Sequence, residues 1–174
     1  MKKLKLLLIL VSVLASTVQA ADKIAAVDWT NIENAVSDAG TTHKFILVNI
    51  VAPWCGWCKK MDESTFTDGA VAEQLKNSFV SVKLDAENTS SVTFNGKSYS
   101  LVQNGTRKAN QLALDLGNIN GRLGYPTLVV LDEKGNKLQA FPGYKDAEAL
   151  NMMLKYFTSG NYKTMDFQQF QSGQ

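Results

Sequence analysis

The chain has 174 residues, 45% of them hydrophobic, with 18 Lys+Arg against 16 Asp+Glu, one histidine and two cysteines. Lys2, Lys3 and Lys5 lie in the first twenty positions, which carry no acid, so the rest holds 15 basic against 16 acidic side chains. A near-neutral body without a basic stripe argues against nucleic acid as a partner, and two cysteines are too few for a disulfide scaffold at this length.

The chain opens with a positive n-region at Lys2, Lys3 and Lys5, an almost unbroken apolar run from Leu6 to Leu14, and a small-residue cleavage site at Val18-Gln19-Ala20. That is the pattern of a secretory signal peptide. The run falls well below the ~20 residues that span a bilayer. Residues 1–20 therefore read as a signal cleaved after Ala20, leaving a periplasmic or secreted protein with no stable membrane insertion. An uncleaved anchor is the alternative. The remaining length fits one domain.

Residues 21–41 read as an N-terminal helical segment, with Asp28 as its cap and Trp29, Ile32, Ala35 and Val36 at helical spacing until Gly40. Phe45 to Val51 is an apolar, β-branched run, as in a strand covered on both faces. Pro53 ends it. A helix follows from Trp57, breaks near Ser64 to Asp68, and resumes with Val71, Leu75 and Phe79 toward the core. Phe79 to Leu84 is the next strand. Residues 88–105 are polar, with Val92-Thr93-Phe94, Asn95-Gly96 and Ser98 to Leu101 forming a small hairpin, since Asn-Gly favours the type I′ turn. This stretch reads as an insertion. A short helix carries Ala109, Leu112, Ala113 and Leu116. Thr127 to Leu131 and Lys137 to Phe141 pair across the Asp132–Asn136 turn, and Asp146 caps a last helix through Phe157. The tail, 158–174, keeps Tyr162, Met165, Phe167 and Phe170 and is expected to dock on the surface. The order predicts an α/β fold with a mixed central sheet flanked by helices over residues 42–157.

The two cysteines stand in Ala52-Pro53-Trp54-Cys55-Gly56-Trp57-Cys58-Lys59-Lys60. Zinc takes about four ligands, and His43 is the sole histidine, so a metal site lacks donors. Haem attachment needs histidine after the second cysteine, where Lys59 stands. A structural staple over so short a loop contributes only ~2 kcal/mol, against ~3 for a 15-residue loop. Dithiol–disulfide redox chemistry explains more. A cysteine at a helix N-terminus meets unpaired N–H groups and the positive end of the macrodipole, which favour its thiolate. Cys55 falls there, exposed and activated, with Cys58 one turn inside to resolve the mixed disulfide. Gly56 is expected to let the turn pack tightly. Lys59 and Lys60 add positive charge nearby.

The run Ile46 to Lys59 resembles the strand and active-site turn of the thioredoxin family. Gly124-Tyr125-Pro126-Thr127 resembles its cis-proline loop, and Gly143 its glycine before the last helix. Asp62 to Asp68, with Val71 and Leu75, is similar to secreted thioredoxin-like proteins and to the C-terminal periplasmic domain of the electron carrier DsbD. The resemblance implies a cis Pro126 against the cysteines, and Tyr125 as the residue whose backbone pairs with the substrate. Two departures stand out. Trp57 replaces the usual proline or histidine before the second cysteine, which argues against a strong oxidant. Asn49 replaces the buried acid and cannot take a proton from Cys58, so Lys83, which matches the family lysine facing that acid, has no acid to face at that position. Asp62, at i+4 from Cys58, is a candidate substitute that assists proton transfer; the alternative is a solvated first-turn acid. Trp54 and Trp57 frame an apolar surface for a partly unfolded protein chain. His43 reads as an exposed loop residue and Trp29 as packing.

Together these features predict a secreted thiol–disulfide oxidoreductase acting on protein thiols and disulfides, more reductant than oxidant, with no dissolved cofactor and a DsbD-like membrane protein as possible electron donor. The alternatives are a disulfide oxidase or isomerase, and a non-catalytic binding or chaperone module.

Overall fold

The computed structural model describes residues 27–173; the signal-peptide expectation for residues 1–20 lies outside them. Trp29–Thr30 is a two-residue strand, β1, paired in parallel with Ser81 and Val82. This corrects the helix start expected at Asp28. Tertiary packing decides it, because the Trp29 ring meets Phe66 edge-on at 4.9 Å and its backbone adds an edge to the sheet. Helix α1 therefore spans Ile32–Thr42. It runs through Gly40 and stops where His43 turns left-handed at φ 53°, the Lys44 N–H returning to the Ala39 carbonyl.

Next come β2 (Phe45–Val51), α2 (Gly56–Glu63), α3 (Gly69–Ser78) and β3 (Phe79–Asp85). The break between the two helices falls where expected, and Asp68 restarts the chain by accepting the Val71 N–H. Strands β4 (Val92–Phe94) and β5 (Lys97–Tyr99) turn at Asn95-Gly96, with φ of 49° and 73° as a type I′ turn requires. A second hairpin, β6 (Leu101–Asn104) and β7 (Arg107–Asn110), carries the insertion beyond residue 105. Ala109 is thus a strand residue instead of a helical one, because Asn110 caps α4 (Gln111–Gly117) by accepting the Leu112 N–H. Strands β8 (Thr127–Leu131) and β9 (Lys137–Pro142), helix α5 (Ala147–Thr158), a 3₁₀ turn at Asn161–Lys163 and α6 (Phe167–Ser172) complete the chain.

The main sheet has the order β1-β3-β2-β8-β9, with β2 parallel to β3 and antiparallel to β8. Alternation along β2 sends Ile46, Val48 and Ile50 toward α1 and α4, while Leu47 faces Met61 of α2, Leu75 of α3 and Leu150 and Phe157 of α5. All four β2 residues are fully buried, each side chain of this kind contributing about 1.5–3 kcal/mol. The tail docks as expected: Phe170 is buried beside Tyr156, whose hydroxyl donates to the Met165 carbonyl.

Register sets the polarity of the sheet. Ile50 opposite Thr127 puts the end of β2 beside the start of β8, while the Asp132–Asn136 turn lies at the other end. The first hairpin docks at that far end, where Asn95 donates to the Lys134 carbonyl and Gly135 (φ 81°) leaves no room for a Cβ against Phe94 and Asn95. The second is tied to the chain just beyond β3, where the Asn110 N–H reaches the Ala86 carbonyl at 2.6 Å.

Candidate active site

Beyond β2 the chain turns through Ala52 and Pro53, and the Cys55 N–H closes the turn on the Ala52 carbonyl at 3.0 Å. Cys55 is the N-cap of α2, and its Sγ accepts the Cys58 N–H at 3.0 Å. This sulfur thus stands at the N–H end of α2, with Cys58 one turn inside. The two cysteines are joined in a disulfide. Each is 4% exposed, so the expectation of an exposed Cys55 over a covered Cys58 is corrected for this oxidised state. Bonded together, the sulfurs shield one another, and Val51 and Tyr125 pack against them. Gly56 is also corrected: a Cβ there would meet open space, because the first residue of α2 faces solvent.

The Tyr125–Pro126 bond is cis, and the Gly143 N–H holds the loop by donating to the Pro126 carbonyl at 2.8 Å. Tyr125 meets Trp54 edge-on at 5.5 Å. Burial, reinforced by Glu87 and Asp85, raises its phenol above the ordinary tyrosine value. On the other side Trp57 lies 5.2 Å from the Tyr144 ring. Trp54 and Trp57 remain 52% and 61% exposed, so two large apolar rings flank the disulfide in contact with water. Lys145 secures the neighbouring loop by donating to the Pro142 and Gly143 carbonyls, and burial lowers its ammonium pKa.

Asp62 does share a face of α2 with Cys58. Both line a cleft of about 240 Å³ with Val51, Ala52, Pro53 and Asp85. Lys83 pairs with Asp62 at 2.7 Å, and its ammonium also sits 5.0 Å from the centre of the Trp29 ring. Asn49, opposite Lys83 in the strand register, is fully buried, and neither end of its amide has a partner among the described residues. His43 stands away from the cysteines, 3.1 Å from Glu133 on the far turn.

Four residues at the site carry no mark in the sequence. Asp85 closes β3 and enters the Cys58 cleft. Glu87 accepts the Trp54 indole N–H at 3.0 Å, Arg107 stacks 4.5 Å over the same ring, and Tyr144 meets Trp57. No spacing ties them to the cysteines; the tertiary fold alone brings them there.

A bridged Cys-x-x-Cys at a helix head, set against a cis-proline at the end of a mixed sheet, defines a dithiol–disulfide protein of the thioredoxin class. The chain belongs to the thioredoxin-like domain family, whose model matches residues 32–158. It is 26% identical over 140 residues to a protein disulfide-isomerase of Medicago sativa, covering 80% of this chain and 22% of that one. It is 25% identical over 121 residues to the thiol:disulfide interchange protein DsbD of Haemophilus influenzae, covering 67% and 17%. The chain thus spans about a fifth of the length of these curated relatives. A thioredoxin from Thermus thermophilus superposes with a TM-score of 0.55 at 18% identity, covering 76% of this chain and 88% of that one, a likeness of fold.

Proposed function

We propose that this protein is an exported thiol–disulfide oxidoreductase that exchanges disulfides with protein substrates, working as a reductant more than as an oxidant. The carrying observation is the Cys55–Cys58 disulfide at the head of α2, packed against Tyr125 of the cis-proline loop.

In the reduced form the Cys55 thiolate attacks one sulfur of a substrate disulfide. A Cys55–substrate bond forms, the substrate S–S bond breaks, and one substrate thiolate leaves. Cys58, deprotonated, then attacks Cys55 Sγ, closing the Cys55–Cys58 disulfide and expelling the second substrate thiolate, which takes up a proton. Two electrons pass from the dithiol to the substrate. A donor dithiol returns them by the reverse exchange, and the similarity to DsbD favours a membrane protein of that kind as donor. Tyr125 and Pro126 form one wall of the substrate site, and Trp54 and Trp57 supply its apolar floor. Asp62 lines the same cleft as Cys58 and assists its proton transfer.

Export rests on Lys2, Lys3, Lys5 and the apolar run to Leu14; no helix among the described residues is long and apolar enough to cross a membrane. An insulin-reduction assay tests the activity: the wild type turns over, and Cys55→Ser does not. Equal activity in the two proteins, or none in either, would overturn the reading.

A further inference from the structure

Trp54, next to Cys55, is held on three sides. Its indole N–H donates to Glu87, the Tyr125 ring meets its edge, and the Arg107 guanidinium covers its face at 4.5 Å. Arg107 comes from the second hairpin of the insertion, so this hairpin reaches the residue beside the candidate nucleophile. Between the hairpin turn and the cis-proline loop lies a cleft of about 300 Å³, lined by Trp54, Glu87, Arg107, Lys108, Gly124 and Tyr125 among others. Anything entering it in a mixed disulfide is tethered to Cys55, one residue away, so its natural occupant is the peptide segment around the substrate cysteine.

The charges in this cleft are not equally committed. Glu87 is engaged by the Trp54 indole, and Asp85 by the Glu87 backbone N–H at 2.9 Å. Arg107 pairs with Glu87 across 3.6 Å, an ion pair longer than a hydrogen bond. Its side chain is 60% exposed, so most of its donors face water and the cleft. Lys108 beside it is exposed, with no side-chain partner among them. The planar fork of an arginine already stacked on an aromatic ring matches a carboxylate in two-pronged geometry, and an ammonium would be repelled.

We propose that the second hairpin is the far wall of the substrate cleft, and that Arg107 is a specificity-determining residue favouring substrates with an acidic side chain close to the reacting cysteine. This rests on the exchange activity proposed above, and the test separates the two. Three disulfide-linked peptides, identical except for Glu, Gln or Lys beside the cysteine, are reduced by the wild type, and kcat/KM is measured for each. The Glu peptide is expected to exceed the Lys peptide about fivefold at low salt, the scale of a partly exposed ion pair, and the margin to shrink as salt is added. Arg107→Gln removes the preference, and Arg107→Glu inverts it in favour of Lys. Equal rates for all three peptides in the wild type overturn the proposal while leaving exchange intact, as does a preference that survives in Arg107→Gln. Failure to reduce any peptide overturns the exchange reading, and this one with it.

Discussion

The Asp62 carboxylate lies 2.7 Å from the Lys83 ammonium, one helical turn beyond Cys58 and inside the same cleft as that cysteine. On the proposed mechanism this carboxylate, in the cleft that Cys58 also lines, helps remove the proton Cys58 must lose before it resolves the mixed disulfide. Positioned acid–base groups contribute ~10²–10⁴-fold in enclosed sites. Asp62 is 40% exposed, so its contribution is expected to fall below that range. Asp62→Asn is expected to slow resolution near neutral pH by about tenfold, measured by stopped-flow decay of a Cys55–substrate disulfide, and a higher pH should restore the rate by deprotonating Cys58 directly. Unchanged kinetics would assign Asp62 to the surface ion pair alone.

The order of the two sulfurs leads to a trapping result. Cys55 caps α2 and Cys58 sits one turn inside, so removing the inner thiol leaves attack possible and resolution impossible. Cys58→Ala is expected to accumulate covalent adducts with protein substrates, visible as slower bands on a non-reducing gel and lost on adding dithiothreitol. Cys55→Ala should accumulate none. If the two variants trap equally, the assigned order is wrong.

Much of this architecture is legible in the sequence because local and tertiary preferences agree. Phe45–Val51 has the β-branched run of a central strand, Asn95-Gly96 has the one turn type that suits it, and Asp68 and Asp146 cap helices where their oxygens can reach free N–H groups. The reading fails where a distant contact decides. Trp29 has helical spacing, but Phe66 and the open edge of β3 draw it into a strand. The β6–β7 hairpin does carry an Asn104-Gly105 pair, but one position early: Asn104 still pairs with Arg107 in the ladder, Gly105 (φ 62°) opens the turn, and the hairpin is tied down by the Asn110 contact to Ala86. Cys55, Cys58 and the cis-proline loop announce themselves by motif. Glu87 and Arg107 do not, because their relation to Trp54 exists only in three dimensions.

The environment of Cys55 bears on its reduction potential. Its thiolate gains from the helix head, but no histidine stands before Cys58, and Lys59 and Lys60 point to solvent. A modestly stabilised thiolate makes a weak oxidant. The potential is expected nearer about −270 mV than about −120 mV, measured by equilibration with glutathione or dithiothreitol buffers. Trp57→His adds a cation-forming neighbour to the thiolate and should raise the value by about 30 mV or more, a tenfold change in the exchange equilibrium. A wild-type value near the oxidising end would move the protein to disulfide formation.

Asn49 interrupts an otherwise apolar strand at the centre of the sheet, fully buried, with neither end of its amide partnered among the described residues. Moving an unpaired amide out of water costs about 1–3 kcal/mol on the scale of protein mutations. Leucine keeps the branched outline of asparagine, with bulkier methyls, and replaces both unpaired polar ends by carbon on the face of β2 that also carries Leu47. Asn49→Leu is therefore expected to stabilise the protein by about 1–2 kcal/mol in urea denaturation of the oxidised form. Leu47→Ala, on the same face, should cost about 2–5 kcal/mol, which calibrates the assay. If Asn49→Leu instead destabilises while the smaller Asn49→Ala does so by no more than its lost volume, overpacking is the cause; if both destabilise strongly, the amide is engaged in the folded protein.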